Sequence, residues 1–300
     1  MPDAPDPTFA ALLADPRVAL RRLPPHVPLA ALRAGANAFL ASAPGPMVSQ
    51  VEDRNVEGPG GPIAIRLYRP DGRPSLPVVL FAHGGGFLLG SLDTHDALCR
   101  SLALASGAAV VAVDYRLAPE TRFPAPLDDV AVVADAIGDS GAQWGLDPAR
   151  LALAGDSAGA QIAAATALSL PVRHLALFYP LLDPSRTSAS QATFAEGYML
   201  TGSFVDWAWE AYAGDRADPR FDLMRADPTA FPATTIATAA FDPLRDEGED
   251  LADRLQAAGV VASVRRFEGM IHGFAGMPQL TPVANEAIAW IGGRLRTALA

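Results

Sequence analysis

The stretch that decides the fold is Leu151-Ala152-Leu153-Ala154-Gly155-Asp156-Ser157-Ala158-Gly159-Ala160. Four apolar residues are too few for a helix and suit a short strand buried on both faces. The Ala-rich run that follows, Ala160–Ser169, suits a helix. Only Gly-Asp-Ser-Ala-Gly separates the two. A chain that passes so abruptly from strand to helix strains the backbone at the serine, and glycine on either side removes side chains that would collide. The hydroxyl is then left exposed above the sheet. In that setting G-x-S-x-G reads as a nucleophile elbow. The pentapeptide alone would equally fit a glycine-rich helix start with a serine N-cap; the strand before it and the helix after it select the first reading.

Outward from this point the chain alternates. Val78–Ala82, Ala108–Val113, Leu175–Tyr179, Thr235–Phe241 and Val261–Phe267 are short runs that read as strands. Between or after them, Ala97–Ser106, Asp128–Ile137, Asp246–Ala258 and Pro282–Leu299 read as helices. Continuous apolar strands alternating with helices predict an α/β protein with a mostly parallel sheet covered on both faces. Ahead of this region, Val48–Val56 and Ile63–Tyr68 read as paired strands around Gly58-Pro59-Gly60-Gly61. Residues 1–46 are Ala/Leu-rich, with amphipathic helices expected over Pro7–Ala14 and Leu29–Ala43 on either side of Pro24-Pro25-His26-Val27-Pro28. Residues 184–231 break the rhythm and read as an insertion.

Composition narrows the chemistry. The 300 residues carry 23 basic and 33 acidic side chains, a net charge of −10. Such a surface repels phosphate backbones, which argues against nucleic acid as a partner. All the basic residues are arginine. Without lysine, P-loop, Schiff-base and Ser-Lys mechanisms are excluded. The single cysteine, Cys99, permits neither an internal disulfide nor a CxxC site. No apolar run approaches a membrane span, and the acidic, Pro-rich opening MPDAPDPTFA lacks the pattern of a secretory signal, so a cytoplasmic protein is expected.

A second motif, His83-Gly84-Gly85-Gly86-Phe87, follows the strand Val78–Ala82. Three glycines let backbone N–H groups approach a ligand closely, as an oxyanion requires. A dinucleotide fingerprint fails because Leu89 stands at its third glycine position. A serine nucleophile needs a base, and the base an orienting acid. Of the five histidines, His26 lies in the proline-rich run, His83 in the glycine loop, His95 at a loop or helix start and His174 at the head of a strand. His272 follows the strand Val261–Phe267 and a break at Gly269, at a carboxyl end where open α/β sheets place their sites. Asp242 directly follows Thr235–Phe241, also at a carboxyl end, although Asp before Pro243 equally suits a helix cap. Asp246, Glu247 and Asp250 read as charges on a helix surface. The order Ser157, Asp242, His272 is that of an α/β-hydrolase triad.

With these pieces assembled, the chain resembles the hormone-sensitive-lipase family of esterases (bacterial family IV), of α/β-hydrolase fold. The resemblance rests on HGGGF at 83–87, DYRLAPE at 114–120, FPAPLDDV at 123–130, GDSAG at 155–159, FDPLRDEGEDLADRL at 241–255 and HGF at 272–274. It implies Ser157 as nucleophile, His272 as base and Asp242 as its orienter. The amides of Gly85, Gly86 and Ala158 would form the oxyanion hole, and His83, Asp156, Asp114, Arg116 and Glu120 would brace the site. Two positions depart from the family: Ala160 stands where another glycine is usual, and Phe221-Asp222-Leu223-Met224-Arg225 replaces the usual Ser-Pro-Leu.

The family also implies a helical cap, for which residues 1–46 and about 184–231 are available around a catalytic domain over 47–300. Ser203 and Asp206 suggest a capping box ahead of a helix over Val205–Ala213. Phe87, Leu200, Phe204 and Trp207 are expected along the substrate pocket. The implied activity is hydrolysis of short- to medium-chain carboxylic esters through an acyl-enzyme, with no metal or organic cofactor. The partner is a small ester, with a homodimer through the late strand expected from relatives. Amide, carbamate or lactone hydrolysis, or a lyase, would use the same triad. The fold also serves non-catalytic receptors, which usually lose a triad member.

Overall fold

The computed structural model describes residues 4–22, 28–40 and 45–300. In chain order the helices and strands are α1 (Ala10–Ala14), α2 (Leu29–Leu40), β1 (Gln50–Gly58), β2 (Gly61–Arg69), β3 (Leu76–Ala82), α3 (Asp96–Ser106), β4 (Ala109–Val113), α4 (Ala125–Ser140), β5 (Leu146–Asp156) and α5 (Ala158–Ala167). They continue as β6 (His174–Phe178), α6 (Ala189–Thr193), α7 (Gly202–Tyr212), β7 (Thr234–Phe241), α8 (Arg245–Ala257), β8 (Ala262–Ile271) and α9 (Val283–Ala298). The proline-rich run at 24–27, His26 within it, and the end of the helix expected over Leu29–Ala43 lie outside the described residues.

The strands form one eight-stranded sheet in the order β1-β2-β4-β3-β5-β6-β7-β8. β2 runs antiparallel to both β1 and β4, and the remaining pairs are parallel. β3, β4, β6 and β7 are buried throughout, as strands covered on both faces must be. Alternate residues feed two cores. Val78, Leu80, Val111 and Leu153 join one cluster with α4, α5 and α8. Val79, Phe81 and Val110 join the other with α3 and α9. Each fully buried aliphatic side chain contributes about 1.5–3 kcal/mol, so the sheet is an anchored platform for its loops.

β3 is the switch point. The chain leaves β3 to form β4 on one side, and β5 then adds on the other. Loops after β3 and β5 therefore diverge, opening a crevice at the carboxyl ends of the strands. Both glycine motifs stand there.

Candidate active site

At the end of β5 the chain reaches Ser157 with φ 53° and ψ −120°, and α5 begins at the next residue. Two glycines make this turn possible. A Cβ on Gly155 would lie 2.4 Å from the Gly159 carbonyl oxygen, and one on Gly159 would lie 2.1 Å from that of Ala82. Any side chain at either position would drive backbone into backbone. The strained serine is pinned from both sides: its N–H donates to the Phe178 carbonyl at 2.9 Å, and its carbonyl accepts from Leu181 N–H at 3.1 Å.

β8 delivers His272 to the same rim, and β7 delivers Asp242. His272 Nε2 lies 2.9 Å from Ser157 Oγ, and Nδ1 lies 2.7 Å from Asp242 Oδ2. An ionised carboxylate only accepts, so Nδ1 carries the proton, and Nε2 presents its lone pair to the serine hydroxyl. Asp242 is fully buried, and its other oxygen accepts from Leu244 N–H at 2.8 Å. The same carboxylate thus holds the start of the next helix and the imidazole. Tyr179, which the sequence reading did not single out, sets its ring edge-on to His272 at 4.9 Å.

The glycine loop supplies dipoles. Gly85 and Gly86 have φ of +125° and +63°, conformations that L side chains rarely adopt. A Cβ on Gly86 would also lie 2.5 Å from the Phe204 ring. Among the described residues, no hydrogen bond uses the amides of Gly85, Gly86 or Ala158 as donors. The preceding amide, Gly84 N–H, donates to Asp156 Oδ1 at 2.7 Å. Burial raises the Asp156 carboxyl, but the charge of His95, a hydrogen bond from it and the Gly84 amide outweigh burial and hold it below its usual value. His83 stacks on Tyr115 at 4.3 Å, and burial lowers its pKa to about 4, so it is neutral near pH 7.

The five residues expected to brace the site fall in three places. His83 and Asp156 stand under the glycine loop. Arg116 instead turns to the buried Asp129, at 2.7 Å. Glu120 pairs with Arg33 of α2 at 2.8 Å, and Arg33 also donates to the carbonyls of Leu88 and Ala118. These two tie the loop after β4 to neighbouring elements and do not touch Ser157, Asp242 or His272. Asp114 is exposed where β4 ends, its amide bonded to the Ala64 carbonyl.

A cavity of about 110 Å³ opens over Ser157 and His272. Leu20, Leu89, Met199, Leu200, Phe204 and Met277 supply apolar wall. Of the four pocket residues expected from sequence, Leu200 and Phe204 are there. Phe87 is not: it is fully buried, stacked on Tyr212 at 3.8 Å, where it locks the glycine loop to α7. Trp207 is not either; it sits edge-on behind Phe204 at 5.9 Å. The expected capping box also differs. The helix begins three residues earlier than expected, Thr201 is its cap, and the Thr201 hydroxyl accepts from Phe204 N–H. That hydroxyl also donates to the Leu20 carbonyl at 2.6 Å, which clips the N-terminal segment to α7. Asp206 pairs with Arg186 instead.

Glu247 corrects another expectation. It is buried, and its two carboxyl oxygens accept from Leu182 and Asp183 N–H at 3.2 and 3.0 Å. The segment it holds includes Leu181, the residue bonded to the Ser157 carbonyl. A signal was present: position 247 lies four residues before Leu251 and eight before Leu255, on the buried face of α8.

Comparison with known proteins finds relatives of the same fold along most of the chain. Residues 79–276 match the model of a family described by the alpha/beta hydrolase fold. The chain is 36% identical over 294 residues to the carboxylic ester hydrolase LipN of Mycobacterium tuberculosis, covering 92% of this chain and 78% of that protein. It is 39% identical over 252 residues to the esterase LipI of the same organism, 79% of each. Among solved structures, a hyperthermophilic esterase from the archaeon Pyrobaculum calidifontis superposes with a TM-score of 0.91 at 34% identity, covering 99% of this chain and 100% of that one. An ester hydrolase from the metagenome of Lake Arreo, complexed with a bipyridine phosphonate derivative, gives 0.91 at 37% identity over 97% and 98%. With a family model matched over residues 79–276 and carboxylic ester hydrolases more than 30% identical along most of its length, the chain belongs to the hormone-sensitive-lipase family of carboxylesterases, of α/β-hydrolase fold.

Proposed function

We propose that the protein hydrolyses carboxylic esters of short acyl chains through an acyl-enzyme on Ser157. The observation that carries this reading is one imidazole within hydrogen-bond reach of both partners, at 2.9 Å from Ser157 Oγ and 2.7 Å from Asp242 Oδ2. His272 takes the hydroxyl proton as Oγ attacks the ester carbonyl. Asp242 fixes the tautomer and stabilises the imidazolium. The amides of Gly85, Gly86 and Ala158 receive the oxyanion, each donor worth about 3 kcal/mol in the transition state. His272 returns the proton to the leaving alcohol, then activates the water that releases the acid. The small apolar cavity walled by Leu200 and Phe204 supports a short acyl group.

Residues 47–300 are read as the catalytic domain, with 1–46 and about 184–231 forming its cap. The clip between Thr201 and the Leu20 carbonyl supports their acting together. β8 is an edge strand, and pairing of two copies along it is the dimer to look for by light scattering. Among the described residues no helix is long and apolar enough to cross a membrane, which is compatible with a cytoplasmic setting.

The test is turnover across p-nitrophenyl esters of increasing acyl length, with Ser157→Ala as the blank. The reading expects activity greatest on short chains and abolished in the variant. Activity retained by Ser157→Ala would overturn it.

A further inference from the structure

The proposed mechanism gives His95 no part. It precedes α3 by one residue, four before the buried Cys99 and seven before Leu102, so it faces inward. Its ring lies beside the cavity over Ser157. Nε2 stands 3.2 Å from Asp156 Oδ1 and 3.4 Å from Oδ2. Nδ1 stands 2.8 Å from the Thr94 hydroxyl.

The Thr94 hydroxyl settles what the ring can do. It accepts from Ser91 N–H at 2.9 Å and also lies 2.9 Å from the Ser91 carbonyl. Its single proton goes either to that carbonyl or to His95 Nδ1. In the first case the hydroxyl accepts from Nδ1–H; since a ring nitrogen facing a carboxylate must also carry a proton, His95 is then an imidazolium. In the second case the ring is neutral with its proton on Nε2. Both arrangements leave Nε2–H donating to Asp156. The pair is therefore maintained in either charge state of the ring.

Asp156 needs that donor. It is buried beside the nucleophile, and its Oδ1 holds Gly84 N–H, immediately before the two amides assigned to the oxyanion. A buried carboxylate without a compensating donor is costly, and a carboxylate free to turn would release Gly84. A Cβ on Gly84 would lie 2.5 Å from Asp156 Oδ2, which shows how closely loop and carboxylate are packed.

The geometry points to His95 as a positioning residue: through Nε2 it holds the Asp156 carboxylate on Gly84 N–H and so aims the glycine-loop amides at the oxyanion. This rests on the proposed acyl-enzyme reading. It assigns His95 an effect on the transition state and little on substrate binding, because a loop displaced by an ångström loses catalysis on the order of 10²-fold.

The test separates the two ring nitrogens. Gln carries an amide nitrogen near the Nε2 position, and Asn carries one near Nδ1. Hence His95→Gln keeps the bond to Asp156, while His95→Asn keeps only the side toward Thr94. Both are polar and close to isosteric, so they share any general cost of replacing the ring. Steady-state kinetics on p-nitrophenyl acetate and inhibition by a trifluoromethyl ketone, which forms a tetrahedral adduct, are measured for both. His95→Asn is expected to lose kcat 10- to 100-fold with KM within about threefold, and to lose a similar factor in affinity for the ketone. His95→Gln is expected to stay within about fivefold of wild type in all three. Equal kcat in the two variants, or a loss confined to KM, would overturn the assignment. Wild-type activity that survives Ser157→Ala would instead sink the acyl-enzyme reading, so the two failures are distinguishable.

Discussion

The rim of the sheet and the cover above it are built by different means. At the rim, position is dictated by backbone. Gly155 and Gly159 admit no Cβ, Ser157 is held by main-chain hydrogen bonds to Phe178 and Leu181, and Asp242 and His272 stand one residue beyond the ends of their strands. In the cover, position is dictated by side chains: the Thr201 hydroxyl on Leu20, Phe87 stacked on Tyr212, and Phe204 against Gly86. The difference teaches where tolerance lies. Small changes at the rim break chemistry or fold, whereas changes in the cover re-shape a wall.

The largest effect is expected from Asp242→Asn. It leaves the shape nearly intact but no longer requires Nδ1 to carry the proton. kcat for p-nitrophenyl acetate should fall about 10⁴-fold, or about 5.4 kcal/mol in the barrier, with the melting temperature changed far less. A fall below tenfold would break the division, since the rim would then tolerate a misdirected base. Next comes Gly159→Ala. The added methyl meets the Ala82 and His83 carbonyls at 2.1 and 2.4 Å. Urea unfolding should show about 3–5 kcal/mol lost, or no folded protein at all.

A third effect probes the platform beneath the rim. His174, at the amino end of β6, is bonded to Thr235 Oγ1 at 2.9 Å. Burial, aided by the charge of Arg294, lowers its pKa to about 4. The unfolded chain takes up this proton near its ordinary value of about 6.5, so between those values the unfolded state binds more protons. The contribution is complete above about pH 6.5 and is lost as pH falls toward 4. Between pH 7 and pH 5, His174→Gln should therefore lose about 2 kcal/mol less stability than wild type in urea unfolding. Identical losses would show that His174 is not held neutral.

The smallest effect belongs to the cover. Phe204→Ala opens the cavity wall and should move the preferred p-nitrophenyl ester to a longer acyl chain by a few-fold in relative kcat/KM. Trp207→Ala, one layer behind, should shift it less. A larger shift from Trp207 than from Phe204 would place the wall elsewhere.

The same contrast explains what could be read from residues alone. The elbow, the glycine loop and the order of Ser157, Asp242 and His272 are local and depend on backbone, so the reading placed them at four carboxyl ends. The strands were placed within about five residues: β5 begins at Leu146, ahead of the expected Leu151, and β8 runs through the expected break at Gly269 to Ile271. What escaped depends on partners remote in sequence. His95 meets Asp156 across 61 residues, and Glu247 meets Asp183 across 64. Phe87 was expected in the pocket because it adjoins the glycine loop, but its φ of 62° turns it into the core against Tyr212. Thr201 displaced Ser203 as cap because it alone also reaches Leu20. Helical spacing would have revealed Glu247 and His95 as inward-facing, but not what they hold.

The central claim, that Ser157 is made nucleophilic by His272 under Asp242, is tested most directly by covalent labelling. A p-nitrophenyl phosphonate is added at neutral pH, p-nitrophenolate release is followed, and the adduct is mapped by peptide mass spectrometry. The account predicts one equivalent released and one adduct, on the peptide containing Ser157, with loss of ester turnover in parallel. Absence of labelling, or an adduct elsewhere with turnover lost, would contradict it.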